Sequence, residues 1–257
     1  MVRIGCCGWA VKGGKKAYFK TFDLIELQST FYRLPRLQTA KKWSEEAPKN
    51  FEFTVKAWQV ITHPKESPTW RRMGKSPKLP SKTLKNYGYL KPTKENIEAF
   101  EKTKEICNIL QAKICVIQTP PSFKFSEENL KNMQKFLKNI DRGNLMLAWE
   151  PRGDWDQHPK TIKDLCKDFD LIHVVDLLKR SSVSEHKIAY TRLHGLGKQE
   201  INYRYKYTEK DLKQLSIKTK TIEETENEVY VLFNNINMGK DAQKFKKIFE
   251  NKTKTNT

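Results

Sequence analysis

Eight short runs rich in β-branched and aromatic residues, each followed by a longer stretch, constrain this chain more than any other feature of its sequence. The runs fall at 3–7, 24–28, 51–56, 113–118, 145–150, 171–176, 187–193 and 229–234, and turn-forming residues bound them. Most of the intervening stretches have helical spacing. Strands that alternate with helices run parallel through right-handed crossovers, and eight is the number that closes into a barrel of about 250 residues. A chain of 257 residues has room for one such α/β (β/α)8, or TIM, barrel. The expected domain is 1–250, with a polar tail at 251–257 that frays. A doubly wound open sheet is the alternative. It finds no dinucleotide fingerprint, because neither Gly5-Cys6-Cys7-Gly8 nor Lys12-Gly13-Gly14-Lys15 has the G-x-G-x-x-G spacing.

The helix signals are local and chemical. Leu37, Ala40 and Trp43 follow Pro35 and stop at Pro48; Ile97, Phe100, Ile106 and Leu110 follow Thr93, a predicted N-cap. Leu130, Met133 and Phe136 follow Ser126-Glu127-Glu128, where acidic side chains oppose the helix dipole. Ile162, Leu165 and Phe169 follow Pro159, Leu212 and Leu215 follow Thr208, and Ala242, Phe245 and Phe249 close the chain. Two crossovers are weak. The first helix would have to come from 13–21 and the sixth from the Ser-rich 179–186, so irregular structure is expected at both.

Polar residues interrupt the apolar runs at their carboxyl ends. Glu26 and Gln28 lie late in the second, Lys56 ends the third, Gln118 the fourth, Glu150 the fifth and Asp176 the sixth. Arg192 and His194 end the seventh, and Asn234 and Asn235 the eighth. Barrel enzymes place their chemistry at that face, because the βα loops open there. Lys56, Glu150 and Asp176 are therefore candidate catalytic groups. Lys56, Arg152 and Arg192 suit an anion, and a carboxylate beside an arginine suits a general base or a metal. Internal ion pairs, such as Glu150 with Lys56 or Arg192, are the structural alternative.

No motif asks for a cofactor. Glu150, Asp176 and His194 form the one set suited to a divalent ion, and nearby cations and only five histidines speak against it. Five cysteines form an odd set without metal-site spacing and sit mostly in apolar runs, which predicts a reducing cytoplasm. The start Met1-Val2-Arg3-Ile4-Gly5 reads as a strand rather than a leader, and no apolar stretch is long enough for a membrane span.

The net charge of +19 favours an anionic partner, a phosphorylated compound or nucleic acid, unless lysines merely coat the surface. It is concentrated. Between 64 and 94 lie nine Lys and Arg, among them Arg71, Arg72 and Lys75, against the single acid Glu66. Five prolines and the aromatics Trp70, Tyr87 and Tyr89 share the segment, which predicts a structured insertion after the third strand rather than a plain helix. Basic residues among aromatics suit a phosphate backbone with stacked bases; a solvated cover over packed aromatics is the other reading. Further on, Tyr203, Tyr205 and Tyr207 alternate with Arg204 and Lys206.

These residues resemble the YecE-like family, also described as domain of unknown function 72. The resemblance runs from Ile4 to about Ala242. It includes Gly5-x-x-Gly8-Trp9, Glu26-x-x-Ser29-Thr30-Phe31-Tyr32-Arg33-Leu34-Pro35, Phe53-x-Val55-Lys56 and Ile61-Thr62-His63. Gln118-x-Pro120-Pro121-Ser122-Phe123, Glu150-x-Arg152-x-x-Trp155, Asp176, Tyr190-x-Arg192-Leu193-His194-Gly195 and Phe233-Asn234-Asn235 complete it. The family is similar to TIM barrels. The resemblance implies that Glu26, Lys56, His63, Glu150, Arg152, Asp176, Arg192, His194 and Asn234 fall on the family's motif positions. The expected substrate site uses Trp9, Glu26, Tyr32, His63, Gln118, Arg152, Arg192, His194, Asn234 and Asn235. The resemblance supplies no activity, although similarity of the family to barrel nucleases and sugar isomerases has suggested DNA binding or phosphodiester chemistry. This chain departs from it twice, with Cys6-Cys7 in place of Thr-Ser and Gly153 in place of a His. The readings in order are an enzyme, of the hydrolase class, acting on a phosphorylated or nucleic-acid-like anion; a non-catalytic nucleic-acid-binding barrel; and a metal-dependent isomerase or hydrolase.

Overall fold

The computed structural model describes residues 1–74, 79–225 and 228–254. Lys75 of the insertion and 255–257 of the expected tail lie outside the described residues. The strands are β1 (Val2–Cys6), β2 (Leu24–Leu27), β3 (Glu52–Lys56), β4 (Ile114–Gln118), β5 (Met146–Glu150), β6 (Leu171–Val175), β7 (Ile188–Leu193) and β8 (Glu228–Phe233). They follow one another in chain order and β8 returns to β1, which closes a (β/α)8 barrel. β2, β3 and β6 are buried along their whole length. Parallel strands covered on both faces are expected to read as such continuous buried runs. Their bounds differ from the sequence reading by a residue or two, so Asp176, His194 and Asn234 stand just beyond their strands.

The helices are α1 (Gly14–Thr21), α2 (Ser29–Tyr32), α3 (Leu37–Glu46), α4 (Lys94–Ile109), α5 (Glu127–Asn139), α6 (Pro159–Phe169), α7 (Glu209–Glu223) and α8 (Met238–Lys254). Three caps read from sequence hold. Thr93 accepts from the Asn96 amide, Ser126 from Asn129, and Thr208 forms a capping box with Asp211. The first weak crossover is a regular helix after all, α1. The sixth is irregular as expected, for no helix lies between β6 and β7. There Ser182 and Ser184 hydroxyls accept the amides of Ser184 and His186, supplying local bonds that compete with a helix. α8 extends to Lys254, so 251–254 of the expected tail is helical.

Backbone proximity divides the chain into two compact units: Met1–Glu26 with Pro48–Glu52 and Ile172–Thr257, and Leu27–Ala47 with Phe53–Leu171. In the first, Tyr190 and Tyr230 stack with ring centres 5.6 Å apart. The Tyr230 hydroxyl donates to Glu52, which Arg3 meets at 3.1 Å. A Cβ on Gly5 would stand 2.2 Å from the Leu24 carbonyl oxygen, so β1 can approach β2 only with glycine there. In the second unit, Trp155 stacks on Phe123 at 5.6 Å and meets Trp149 edge-on at 5.1 Å, all three fully buried. Each such ring contributes about 1.5–3 kcal/mol of burial.

The insertion belongs to the second unit. Its prolines break it into 3₁₀ turns at Pro68–Met73 and Ser81–Asn86, after a first turn at Gln59–Ile61. The Trp70 indole donates to the His63 carbonyl, and the Asn96 side chain on α4 donates to the carbonyls of Gly88 and Lys91. No helix among the described residues is long and apolar enough to cross a membrane.

Candidate functional site

Strand register alone puts three of the candidate groups of the second unit on one face. Lys56 pairs with Val116 across β3 and β4, and Gln118 pairs with Glu150 across β4 and β5. Paired residues point the same way, and Val116 and Gln118 are two apart, so Lys56, Gln118 and Glu150 share a face. The side chains agree. The Lys56 ammonium donates to Gln118 Oε1 at 2.8 Å and lies 4.0 Å above the Phe31 ring. Gln118 is itself oriented, because its Nε2 donates to the Thr119 carbonyl at 3.0 Å. Behind Lys56, the Thr30 hydroxyl donates to the Lys56 carbonyl at 2.6 Å and ties α2 to β3.

His63 meets Phe31 edge-on, with ring centres 4.9 Å apart. Its Nδ1 is 2.8 Å from the Thr62 hydroxyl. Burial, helped by the Lys56 charge, lowers its pKa to about 3, so the ring is neutral at physiological pH. At the end of β5, Arg152 donates to Glu150 Oε1 at 2.5 Å, with both side chains buried. Tyr32 is half-buried, and Arg72 of the insertion both donates to its hydroxyl at 2.7 Å and lies over its ring at 4.9 Å. Arg71 and Arg72 are exposed on the turn Pro68–Met73.

The first unit holds a second group. Arg192 donates to Glu26 Oε1, and the Tyr190 hydroxyl to Oε2. Asp176 accepts the backbone amides of Leu178 at 3.0 Å and His194 at 3.2 Å. Burial raises its pKa above the ordinary carboxylate value, even though both amides favour the charge. The His194 ring nitrogen Nδ1 lies 3.2 Å from Asn234 Nδ2, and Tyr203 meets the ring edge-on at 6.0 Å. Asn235 turns elsewhere: its amide donates to Asp241 on α8 and to the Tyr205 carbonyl, both at 2.7 Å. Trp9 meets Tyr18 and Phe19 edge-on at 5.3 and 5.4 Å. The three tyrosines diverge, since Tyr203 is exposed, Tyr205 donates to Asp211 and Tyr207 is buried.

Cys6 and Cys7 are free and buried, and burial pushes both thiols up, Cys6 to about 12. That is the reverse of an activated nucleophile. Gly153 has φ +81°, and a Cβ there would lie 2.7 Å from the Pro121 carbonyl oxygen. The backbone thus closes where a histidine side chain would start. No group of three or more His, Cys, Asp or Glu among the described residues is arranged to hold a metal ion. Sequence reasoning missed Phe31 as the floor under Lys56. Phe31 lay in a quoted motif, but only coordinates show a ring under an ammonium.

The chain belongs to the family described as "Protein of unknown function DUF72", which matches residues 3–257. It is 24% identical over 286 residues to UPF0759 protein YunF of Bacillus subtilis (strain 168), covering 97% of this chain and 94% of that protein. The crystal structure of a DUF72 family protein from Thermotoga maritima is 24% identical, with a TM-score of 0.70 over 97% of this chain and 99% of that one. Endonuclease IV from Thermus thermophilus, at 12% identity, shares the fold with a TM-score of 0.54 over 97% of this chain and 99% of that one.

Proposed function

We propose that this chain is an enzyme, a hydrolase of phosphate esters, whose working groups stand at the carboxyl ends of β3, β4 and β5. One observation carries the reading. The Lys56 ammonium is buried, aimed by an oriented Gln118 and seated on Phe31, on the face that Glu150 shares. Burying a lysine costs free energy that folding alone rarely requires, and a barrel puts its chemistry at these strand ends.

In this reading Lys56 and Arg152 meet the phosphate oxygens and offset the charge that grows on them as water attacks phosphorus. Glu150, oriented through Oε1 by Arg152, takes the proton from that water as the ester P–O bond breaks, and the leaving alkoxide takes up a proton from solvent. Neutral His63 and Tyr32 contact the rest of the substrate. Arg192, engaged by Glu26 inside its own unit, is assigned to the scaffold. Endonuclease IV has the same fold, which makes the scaffold compatible with a phosphodiester.

A second reading puts the proton transfer on Asp176 beside His194 and Asn234, and the raised pKa of Asp176 favours it. The test is a panel of phosphomonoesters and phosphodiesters with the purified protein. Turnover that Lys56→Met lowers at least a hundredfold supports the first reading. Turnover indifferent to Lys56→Met and lost in Asp176→Asn supports the second. No turnover across the panel leaves a nucleic-acid-binding barrel without catalysis.

A further inference from the structure

We infer that a groove in the second unit, which shares Tyr32 with the strand-end group, docks single-stranded nucleic acid. The inference deepens the reading above, since it names the substrate class, and it rests on that reading for the chemistry alone. The groove runs between α2, α3, the first turns of α4 and the insertion turns Pro68–Met73 and Ser81–Asn86, with a volume of about 1580 Å³. Pockets for small molecules hold roughly 300–1,000 Å³. This one is larger, and it is open to a chain.

Its lining selects the occupant. Tyr32 and Trp43 supply half-buried aromatic faces, and Arg33, Arg36 and Arg72 supply exposed guanidinium groups. Among the described residues five Lys and Arg line the groove against two Glu, and both Glu are engaged: Glu98 lies 3.8 Å from Lys94, and Glu95 accepts from Asn86 at 2.8 Å. The excess is cationic. Arg72 lies over the Tyr32 ring at 4.9 Å, so guanidinium and ring already stack on each other at the groove surface. Trp58 also lines the groove but is buried, so it adds apolar floor rather than an open face.

Aromatic faces and cations at one surface match unpaired bases on a phosphate backbone. A duplex hides its base faces, and an acidic peptide brings charge without flat rings. The substrate class is therefore a single strand.

The experiment is fluorescence anisotropy of a labelled oligothymidine of about a dozen nucleotides, titrated with the full chain at several salt concentrations. Trp43→Ala, at a half-buried position, should weaken binding roughly five- to 150-fold with little change in salt slope. Arg33→Ala, Arg36→Ala and Arg72→Ala together should lower the slope by about two, since each phosphate contact on a single strand contributes about 0.7. Equal binding of a duplex, equal displacement by polyglutamate, or unchanged affinity in both variants overturns the proposal. The two failures separate. Turnover of small phosphodiesters without oligonucleotide binding sinks the groove and leaves the enzyme reading standing. Oligonucleotide binding that the groove variants weaken, without cleavage or turnover, supports the groove and sinks the enzyme reading.

Discussion

Arg192 meets Glu26 at 2.8 Å, and neither side chain is exposed to solvent at all. The Tyr190 hydroxyl donates to the second oxygen of Glu26 at 3.0 Å, so both oxygens of a fully buried carboxylate have donors. Residues far apart in sequence thus lock β2 to β7 by charge rather than by packing.

Removing one member of such a pair leaves the other buried and uncompensated. Arg192→Met and Glu26→Met should each cost about 3–5 kcal/mol. The double variant Glu26→Met with Arg192→Met should cost clearly less than their sum, because the pair itself repays little more than its desolvation. Urea denaturation of the four proteins measures this. Single variants within about 1 kcal/mol of the parent would show that the pair does not hold the unit together.

His63 predicts the acid side of the stability curve. Its folded pKa is lowered from 6.5 to about 3, so between those values the unfolded chain binds a proton that the folded chain refuses. Stability therefore falls as pH drops through that window, by about 1.4 kcal/mol per unit from this group. Above the window the group has no effect. His63→Gln removes the term, so the gap between parent and variant should change steadily from about pH 6 to pH 4, in the variant's favour. A gap that stays constant over that range would mean His63 titrates normally.

Much of the barrel was legible because its signals are local. Thr93, Ser126 and Thr208 cap helices through bonds three residues away, and polar residues at strand ends need only the strand to be recognised. What was not legible depends on distance in the chain. Nothing in the sequence pairs Arg192 with Glu26, or turns Asn235 toward Asp241. Phe31 was visible as part of a motif, but its place beneath Lys56 depends on how α2 is tied to β3 through Thr30. The short α1 is a case of tertiary context overriding propensity: a glycine-rich start reads as a poor helix, and the buried Tyr18 anchors it. The Tyr18 hydroxyl accepts the Cys6 amide and donates to the Leu24 carbonyl, bonds that no pattern of apolar spacing reveals.

Gly153 shows how this chain accommodates its departure from the family pattern. With φ +81° and the Pro121 carbonyl oxygen where a Cβ would go, any side chain is penalised twice. Gly153→Ala should cost about 1–2 kcal/mol for the backbone conformation, with more from the contact. Gly153→His should cost at least as much, rather than restoring a family-like site. A thermal melt of the two variants decides; a histidine that leaves the melting temperature unchanged would mean that the loop reshapes freely.

Glu150→Gln tests the proposed chemistry most directly, and the geometry says how to read it. Gln keeps the shape and an oxygen for Arg152 to donate to, but it cannot take a proton from water. If Glu150 is the general base, turnover of the phosphate ester that Lys56 binds should fall about 10²–10⁴-fold, with substrate affinity little changed. Stability should fall too, because Arg152 is buried and loses a charged partner. A lower melting temperature alone is therefore not diagnostic. The distinguishing comparison is Arg152→Met, which removes the other member of the pair and with it a proposed phosphate contact, so the two variants are read through kcat and KM separately. Loss of a base lowers kcat and leaves KM nearly unchanged in Glu150→Gln, whereas Arg152→Met raises KM as well. Equal losses in both variants, following their melting temperatures, would return Glu150 to the scaffold.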